Sequence, residues 1–260
     1  MRARVLGLCG AGLLLLWPAL LNGYPLVFAD TGTYLSQAIN LHLGWDRPPF
    51  YSFFLLLTHW TISTWPAIFA QSMIAVWGVS IWARVMVEWW REWMIVPAGA
   101  MLAALTALPW TVAELSPDFL TALMAIALVV LLFAPDHVGR YERCGLIALV
   151  AFAIVAHLSN LPIALIVLSV FLPVRRELAP WAAVAAGVLA LVSFNVMIGR
   201  GPVIAPYGNI FLLARVVADG PGRDVIQAEC PRPRWVLCSY EDALPATADA
   251  FLWHPDSPLY

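Results

Sequence analysis

An all-helical bundle that crosses a membrane about seven times is the architecture this chain predicts. Three observations carry the expectation. Hydrophobic residues make up 62% of the 260 positions and charged residues 12%, against roughly 45–50% and about 25% in a soluble domain, and mean hydropathy is +0.82. The apolar residues come in near-continuous runs, which argues against the alternating strands of an outer-membrane barrel, and lipid satisfies no backbone amide, so helices do the spanning. Threaded up and down, the runs place the arginines of their connections on one side.

Residues 5–21 follow Met-Arg-Ala-Arg and lack a small-x-small cleavage site. They read as an uncleaved first helix, its start held in the cytoplasm by Arg2 and Arg4. Cys9 comes too early to be a lipoprotein cysteine. A loop runs to about Arg47. Residues 48–64 are apolar but interrupted by Ser52, Thr58 and His59. Further spans are expected at 65–87, 93–112, 119–133, 145–159, 161–174 and 181–198. If 48–64 crosses, Arg84, Arg91, Arg140, Arg143, Arg175 and Arg176 all fall outside; if it lies along the interface, all six fall in the cytoplasm. The positive-inside bias selects the second, a juxtamembrane helix within the first outer loop. Around Asn160-Leu-Pro162 the two runs hold only about 15 residues each, short of the ~20 of a full span. One long kinked helix there would invert everything after it.

Residues 1–198 form the expected bundle. Residues 199–260 form a polar, proline-rich tail or cap without a closing helix. Either the chain is the front part of a longer protein or the tail folds back. The expected location is the bacterial inner (plasma) membrane, with the N-terminus cytoplasmic and the tail periplasmic. Cys9 and Cys144 lie at or inside apolar runs, where cysteine acts as a small hydrophobe. Cys230 and Cys238 lie in the tail and pair if it faces an oxidising compartment. All basic residues are arginine, net charge is −2, and no basic tract suits a nucleic acid.

Charge near lipid is costly, which singles out Asp30-Thr-Gly-Thr-Tyr34 and Asp46-Arg-Pro-Pro-Phe50. Asp30 reads as a general base whose partly apolar setting favours proton uptake, and equally as the N-cap of a helix starting at Thr31. Arg47 reads as a phosphate ligand, or as a side chain snorkelling to headgroups or paired with Asp46. Glu114 and Asp118 flank Leu-Ser-Pro at the next outward turn. They line a cavity with Asp30, or Asp118 simply favours a helix start. His157 and Asn160 sit at the outward end of a short span, as cavity lining or as packing. His42, His59, His137 and His254 form no metal motif, and the tryptophans cluster at segment ends as an interfacial belt. No phosphate-cradling glycine loop, Gly-x-Ser-x-Gly or His-Glu-x-x-His is present. The residues name no cofactor and leave a divalent metal open.

Asp30 and Tyr34 in the first outer loop, Arg47-Pro48-Pro49-Phe50-Tyr51, the arginine-bearing turn near Arg84 and Arg91, and Leu115-Ser116-Pro117-Asp118 resemble, in order and spacing, the polytopic glycosyltransferases of the GT-C fold. The protein O-mannosyltransferase and aminoarabinose transferase type is the nearest in pattern. The likeness covers about residues 24 to 176. It implies a polyprenyl-phosphate sugar donor, an acceptor hydroxyl at the outer face, Asp30 as base and Arg47 on the lipid phosphate, with Tyr34, Glu114, Asp118 and His157 around the substrate. Several family members carry two adjacent acidic residues where this chain has Asp30-Thr31, and relatives continue with more spans, which a partner subunit would supply. The expected function is therefore a membrane glycosyltransferase. A non-catalytic binder of lipid-linked sugar or assembly subunit stands as the alternative, and a transporter as the third. Carboxylates at segment ends count against the last.

Overall fold

The computed structural model describes residues 2–59, 61–230, 232 and 235–260, with Arg2 described in its backbone alone. Regular structure among these residues is helical, apart from one parallel β-bridge between Leu26 and Glu114. The chain divides into two units, Met1–Met197 and Ile198–Tyr260.

The first unit begins with α1 (Arg2–Leu14) and α2 (Trp17–Asn22). Residues 5–21 are thus not the single helix expected. Pro18 has no N–H for the carbonyl one turn back, and its ring crowds that carbonyl. The chain tightens there, with the Leu16 N–H reaching the Leu13 carbonyl at 3.1 Å. Gly23, at φ +82°, closes α2 in the left-handed region. A hairpin of α3 (Thr31–Asn40) and α4 (Phe50–His59) follows, α4 lying against α5 (Trp65–Met86). A 3₁₀ turn, Glu92–Met94, leads into α6 (Ile95–Leu105) and α7 (Leu108–Ala113). The expected 93–112 span is likewise interrupted, just before Pro109. Helix α8 (Phe119–Phe133) keeps the expected bounds. Helix α9 (Arg140–Ala156) starts before its apolar run, because Glu142 accepts the Gly139 N–H at 3.2 Å and caps the first turn. Helices α10 (Asn160–Phe171) and α11 (Leu178–Met197) complete the unit.

Side-chain contacts fix the directions. Trp17 on α2 donates from Nε1 to the Ala103 carbonyl of α6 at 3.0 Å and meets the edge of Trp110 on α7 at 5.2 Å. Gly7 lies by Ile95, so α1–α2 and α6–α7 run parallel. Helix α5 opposes them: Gly12 faces Ser72, and Arg4 and Arg84 share Glu142. Thr121 bonds Asn160 at 2.9 Å, and Phe133 meets Phe171 at 5.1 Å, so α8 and α10 run parallel, start beside start and end beside end. The chain breaks between α9 and α10 at His157, whose backbone is extended. Two short antiparallel helices therefore stand here, not one kinked rod. Phe194 near the end of α11 packs on Phe50 at 5.4 Å, at the start of α4. Among the described residues of the first unit the result is seven rods alternating in direction around a core dominated by α8 and α9, including Leu120, Met124, Leu128, Val150 and Ile154. Among the described helices, α5 and α11 are long and apolar enough to cross a membrane by length and composition.

The second unit contains α12 (Gly208–Ala218), α13 (Pro221–Glu229), a 3₁₀ stretch Val236–Ala243 and α14 (Ala248–Trp253). The sequence reading expected no closing helix here, yet α14 stands near the end. Pro221 suits a first helical turn, and Ala214, Val217, Ile226 and Phe251 supply buried apolar contacts. A disulfide joins Cys230 to Cys238.

Candidate functional site

Two polypeptide segments are zipped together at one end of the rods. The Leu26 N–H donates to the Ala113 carbonyl, and the Leu115 N–H to the Leu26 carbonyl, both at 2.9 Å. Thr31 extends the zip: its hydroxyl donates to the Leu115 carbonyl and accepts the Phe28 N–H, each at 2.9 Å. This fixes the start of α3 against the α7–α8 turn and brings Asp30 beside Glu114 and Asp118.

Asp30 does precede a helix at Thr31, but its side chain makes no capping hydrogen bond. It meets Arg47 instead, with Nη2 at 2.8 Å from Oδ1 and 2.7 Å from Oδ2. Asp46, the partner expected on adjacency, accepts from the Thr33 hydroxyl at 3.2 Å. Two buried glutamines hold this arrangement. Gln37 donates to the Arg47 carbonyl at 3.2 Å and accepts from Ser52 at 2.9 Å. Gln71 on α5 donates to the carbonyls of Val112 and Glu114, at 2.9 and 2.8 Å, and accepts the Tyr51 hydroxyl. Sequence reasoning missed both. A lone amide in the apolar run 65–86 is the signal that was there to find, since a buried polar group needs partners.

Tyr34 packs edge-on against Tyr51 at 4.9 Å and is 1% exposed; its hydroxyl has no hydrogen-bond partner. Burial pushes its pKa up, Arg47 opposes this, and Asp30, Asp118 and Asp46 add to it. Tyr34 is therefore a permanent donor within electrostatic reach of all four charges. Tyr51 is pushed up by burial and by Tyr34, Glu114 and Asp118. Glu114 is raised by burial, then by Asp118 and Asp30. Asp118 precedes α8 without a side-chain cap and accepts from Ser116 at 2.8 Å. His157 Nε2 lies 3.6 Å from Asp118, and its Nδ1 is 2.6 Å from the Ser159 hydroxyl. Asn160 bonds Thr121 and the Ala153 carbonyl, at 2.9 and 2.8 Å, and so serves the α8–α10 join.

All six residues singled out in the sequence thus fall at one end of the rods. Asp30 and Arg47 touch, Asp118 and His157 touch, and Tyr34 and Glu114 couple electrostatically to both acids. A polar cavity of about 280 Å³ lies alongside, lined by Gly32, Thr33, Ser36, Gln37, His42 and Gly44. No group of three or more metal-ligating side chains occurs among the described residues. The chain is an all-helical protein with a carboxylate–guanidinium cluster at one end of its bundle. Compared with known proteins, it matches no family model, no curated sequence and no solved structure.

Proposed function

We propose that this chain is a multi-pass membrane glycosyltransferase that moves a sugar from a polyprenyl-phosphate donor to an acceptor hydroxyl at the periplasmic face of the bacterial inner membrane. The observation that carries the reading is the Asp30–Arg47 pair, set among Tyr34, Glu114 and Asp118 at the arginine-poor end of seven alternating rods. Among the described residues of the first unit that end carries Arg47, with Arg200 three residues beyond the end of α11, whereas Arg4, Arg84, Arg91, Arg140, Arg143, Arg175 and Arg176 belong to the other end, which suits a cytoplasmic face. The Cys230–Cys238 disulfide suits an oxidising periplasm.

In this reading the resting pair is a closed state. A donor phosphate competes for the Arg47 guanidinium, whose planar fork suits phosphate as well as carboxylate. Asp30 is released as the phosphate takes its place. The acceptor oxygen attacks the anomeric carbon while its proton passes to Asp30. The bond from that carbon to the phosphate oxygen breaks, and the electron pair leaves on a phosphate held by Arg47. The buried Tyr34 hydroxyl donates into the same region, and Asp118 with His157 contacts sugar hydroxyls. Stabilising the departing charge in a site shielded from water is the largest contribution expected.

In membranes supplied with lipid-linked sugar, Arg47→Ala and Asp30→Asn each lower transfer by on the order of a hundredfold. Unchanged transfer in both removes the assignment. Glu114→Gln separates the carboxylates: if the raised Glu114 takes the proton, this variant loses activity and Asp30→Asn keeps it. The tightness of the Asp30–Arg47 pair favours a second reading, a non-catalytic binder of lipid phosphate. That protein would bind polyprenyl phosphate more tightly as Asp30→Asn and transfer nothing in any form.

A further inference from the structure

Helix α3 carries a polar stripe that continues from the Asp30–Arg47 pair into a cavity. Asp30 precedes the helix in a right-handed conformation, φ −71° and ψ −21°, so the helical spiral runs through it. Residues three and seven positions apart share one helix face, which aligns Asp30 with Thr33 and Gln37. Buried Gln37 lines the cavity of about 280 Å³ together with Gly32, Thr33, Ser36, His42 and Gly44. Leu41 ends α3 at φ +52°, a conformation that few residues other than glycine adopt. It turns the chain so that His42 and Gly44 line the same space as the helix. A Cβ at Gly44 would lie 2.9 Å from Gln37 Nε2 and 2.9 Å from Asp46 Oδ1, so glycine lets the loop close on α3. A Cβ at Gly32 would meet nothing within 4 Å. A helix position that alanine would favour is thus left bare, and its bareness keeps the space open.

The lining sets the chemistry of the occupant. It contains no arginine, aspartate or glutamate, and no leucine, isoleucine, valine, phenylalanine, tyrosine or tryptophan. Neither a charged headgroup nor an apolar tail finds its complement there. The Thr33 hydroxyl donates to Asp46 at 3.2 Å, which leaves its oxygen to accept. The Ser36 oxygen accepts from Asn40 at 3.2 Å, which leaves its proton to donate. An acceptor and a donor three residues apart on one face match a ligand whose neighbouring groups both give and take hydrogen bonds, as the hydroxyls of a sugar ring do. The volume is at the small end for a ligand site, so it suits one ring. An extended peptide pairs along a strand edge, and the described residues around the cavity form no strand. We propose that this cavity seats an uncharged saccharide ring. The assignment of its role rests on the transferase reading above: the ring is that of the acceptor, and its attacking hydroxyl reaches along the stripe to Asp30, one turn before Thr33.

The test uses the methyl pyranosides of mannose, glucose and galactose as neutral rings, glucosamine and glucuronate as charged ones, and a blocked alanine-serine-alanine tripeptide as a hydroxyl on a peptide. Binding to the wild type in bilayer discs, prepared without sugar-based detergent, is read by saturation-transfer NMR. At least one neutral hexoside is expected to bind about fivefold tighter than the charged rings and the peptide. Gly32→Leu fills the cavity from a position with open space around it, so it abolishes that binding while unfolding like the wild type. Thr33→Val and Ser36→Ala each weaken it about fivefold, the worth of one net hydrogen bond. Failure of all three neutral hexosides to bind, undiminished binding by Gly32→Leu, or tighter binding of the peptide overturns the proposal. The transfer assay separates the two readings. Hexoside binding that persists while Arg47→Ala and Asp30→Asn transfer like the wild type keeps the saccharide site and removes the transferase. Wild-type transfer by Gly32→Leu keeps the transferase and removes the acceptor site.

Discussion

Glu142 shows how a single residue ties the far end of the bundle. Its carboxylate accepts from Arg4 at 2.9 Å, from Arg84 at 2.6 Å and from the Gly139 N–H at 3.2 Å. It thereby joins α1, α5 and α9. Burial alone would raise its pKa, but the hydrogen bonds from Arg84 and Arg4 win and bring it from 4.5 to about 2. A carboxylate with a lowered folded pKa contributes stability above its unfolded value and loses it as pH falls. Thermal unfolding of the purified protein is therefore expected to hold steady above pH 4.5 and to weaken progressively towards pH 2. Glu142→Gln should flatten that acid limb and cost about 1–3 kcal/mol at neutral pH, less than the loss of a fully buried pair. At this scale the sequence was informative about which residues matter and poor on whom they touch. Asp30 and Arg47 stood out because charge is scarce in an apolar chain. That Arg47 turns to Asp30 and not to neighbouring Asp46 follows from the α3–α4 fold-back held by Gln37 and Ser52, a contact that no local pattern encodes.

At the scale of elements, hydropathy found each rod of the first unit, and proline placed the breaks within them. The start of α9 lies outside its apolar run because a cap, not hydrophobicity, sets it. The helices of the second unit were hidden by their shortness: α12, α13 and α14 have 11, 9 and 6 residues, set in a stretch rich in proline. Packing between rods relies on small residues. A Cβ at Gly99 on α6 would lie 2.5 Å from the Ala11 Cβ and 3.0 Å from its Cα on α1. The second contact is to backbone, so the helices themselves must part. Close approach through small residues is a common way for apolar helices to associate where no water drives them together. Gly99→Val is expected to lower stability by about 1–3 kcal/mol, the usual cost of overpacking. Gly7→Ala on the same interface meets nothing nearer than 3.6 Å and should be tolerated. Unfolding curves of the two variants check this, and equal effects would show that the α1–α6 contact is loose.

At the scale of the molecule, the decisive element is α4. Its 10 residues rise about 15 Å, half the thickness of a hydrocarbon core. A span of that length is excluded unless the loop around it also enters lipid. The alternation of the other rods then follows from contacts rather than from hydropathy: Arg4, Arg84 and Glu142 mark one end, and Asp30, Arg47, Glu114 and Asp118 mark the other. Crossing a bilayer with this arrangement puts Asn40 and Ile62 on one side and Trp90 on the opposite side. On the proposed membrane reading, seven crossings would bring the chain out of α11 on the side of Asn40, with residue 220 following it. Reporter fusions at residues 40, 62, 90 and 220 should accordingly read periplasmic, periplasmic, cytoplasmic and periplasmic. If α4 does cross, Ile62 falls opposite Asn40, Trp90 becomes periplasmic and Gly220 cytoplasmic, and the arginine-rich end faces outward against the positive-inside bias. In that outcome Asp30 and Asp118 lie on opposite sides of the membrane. The single charged cluster, and the transfer chemistry proposed for it, would then be lost together.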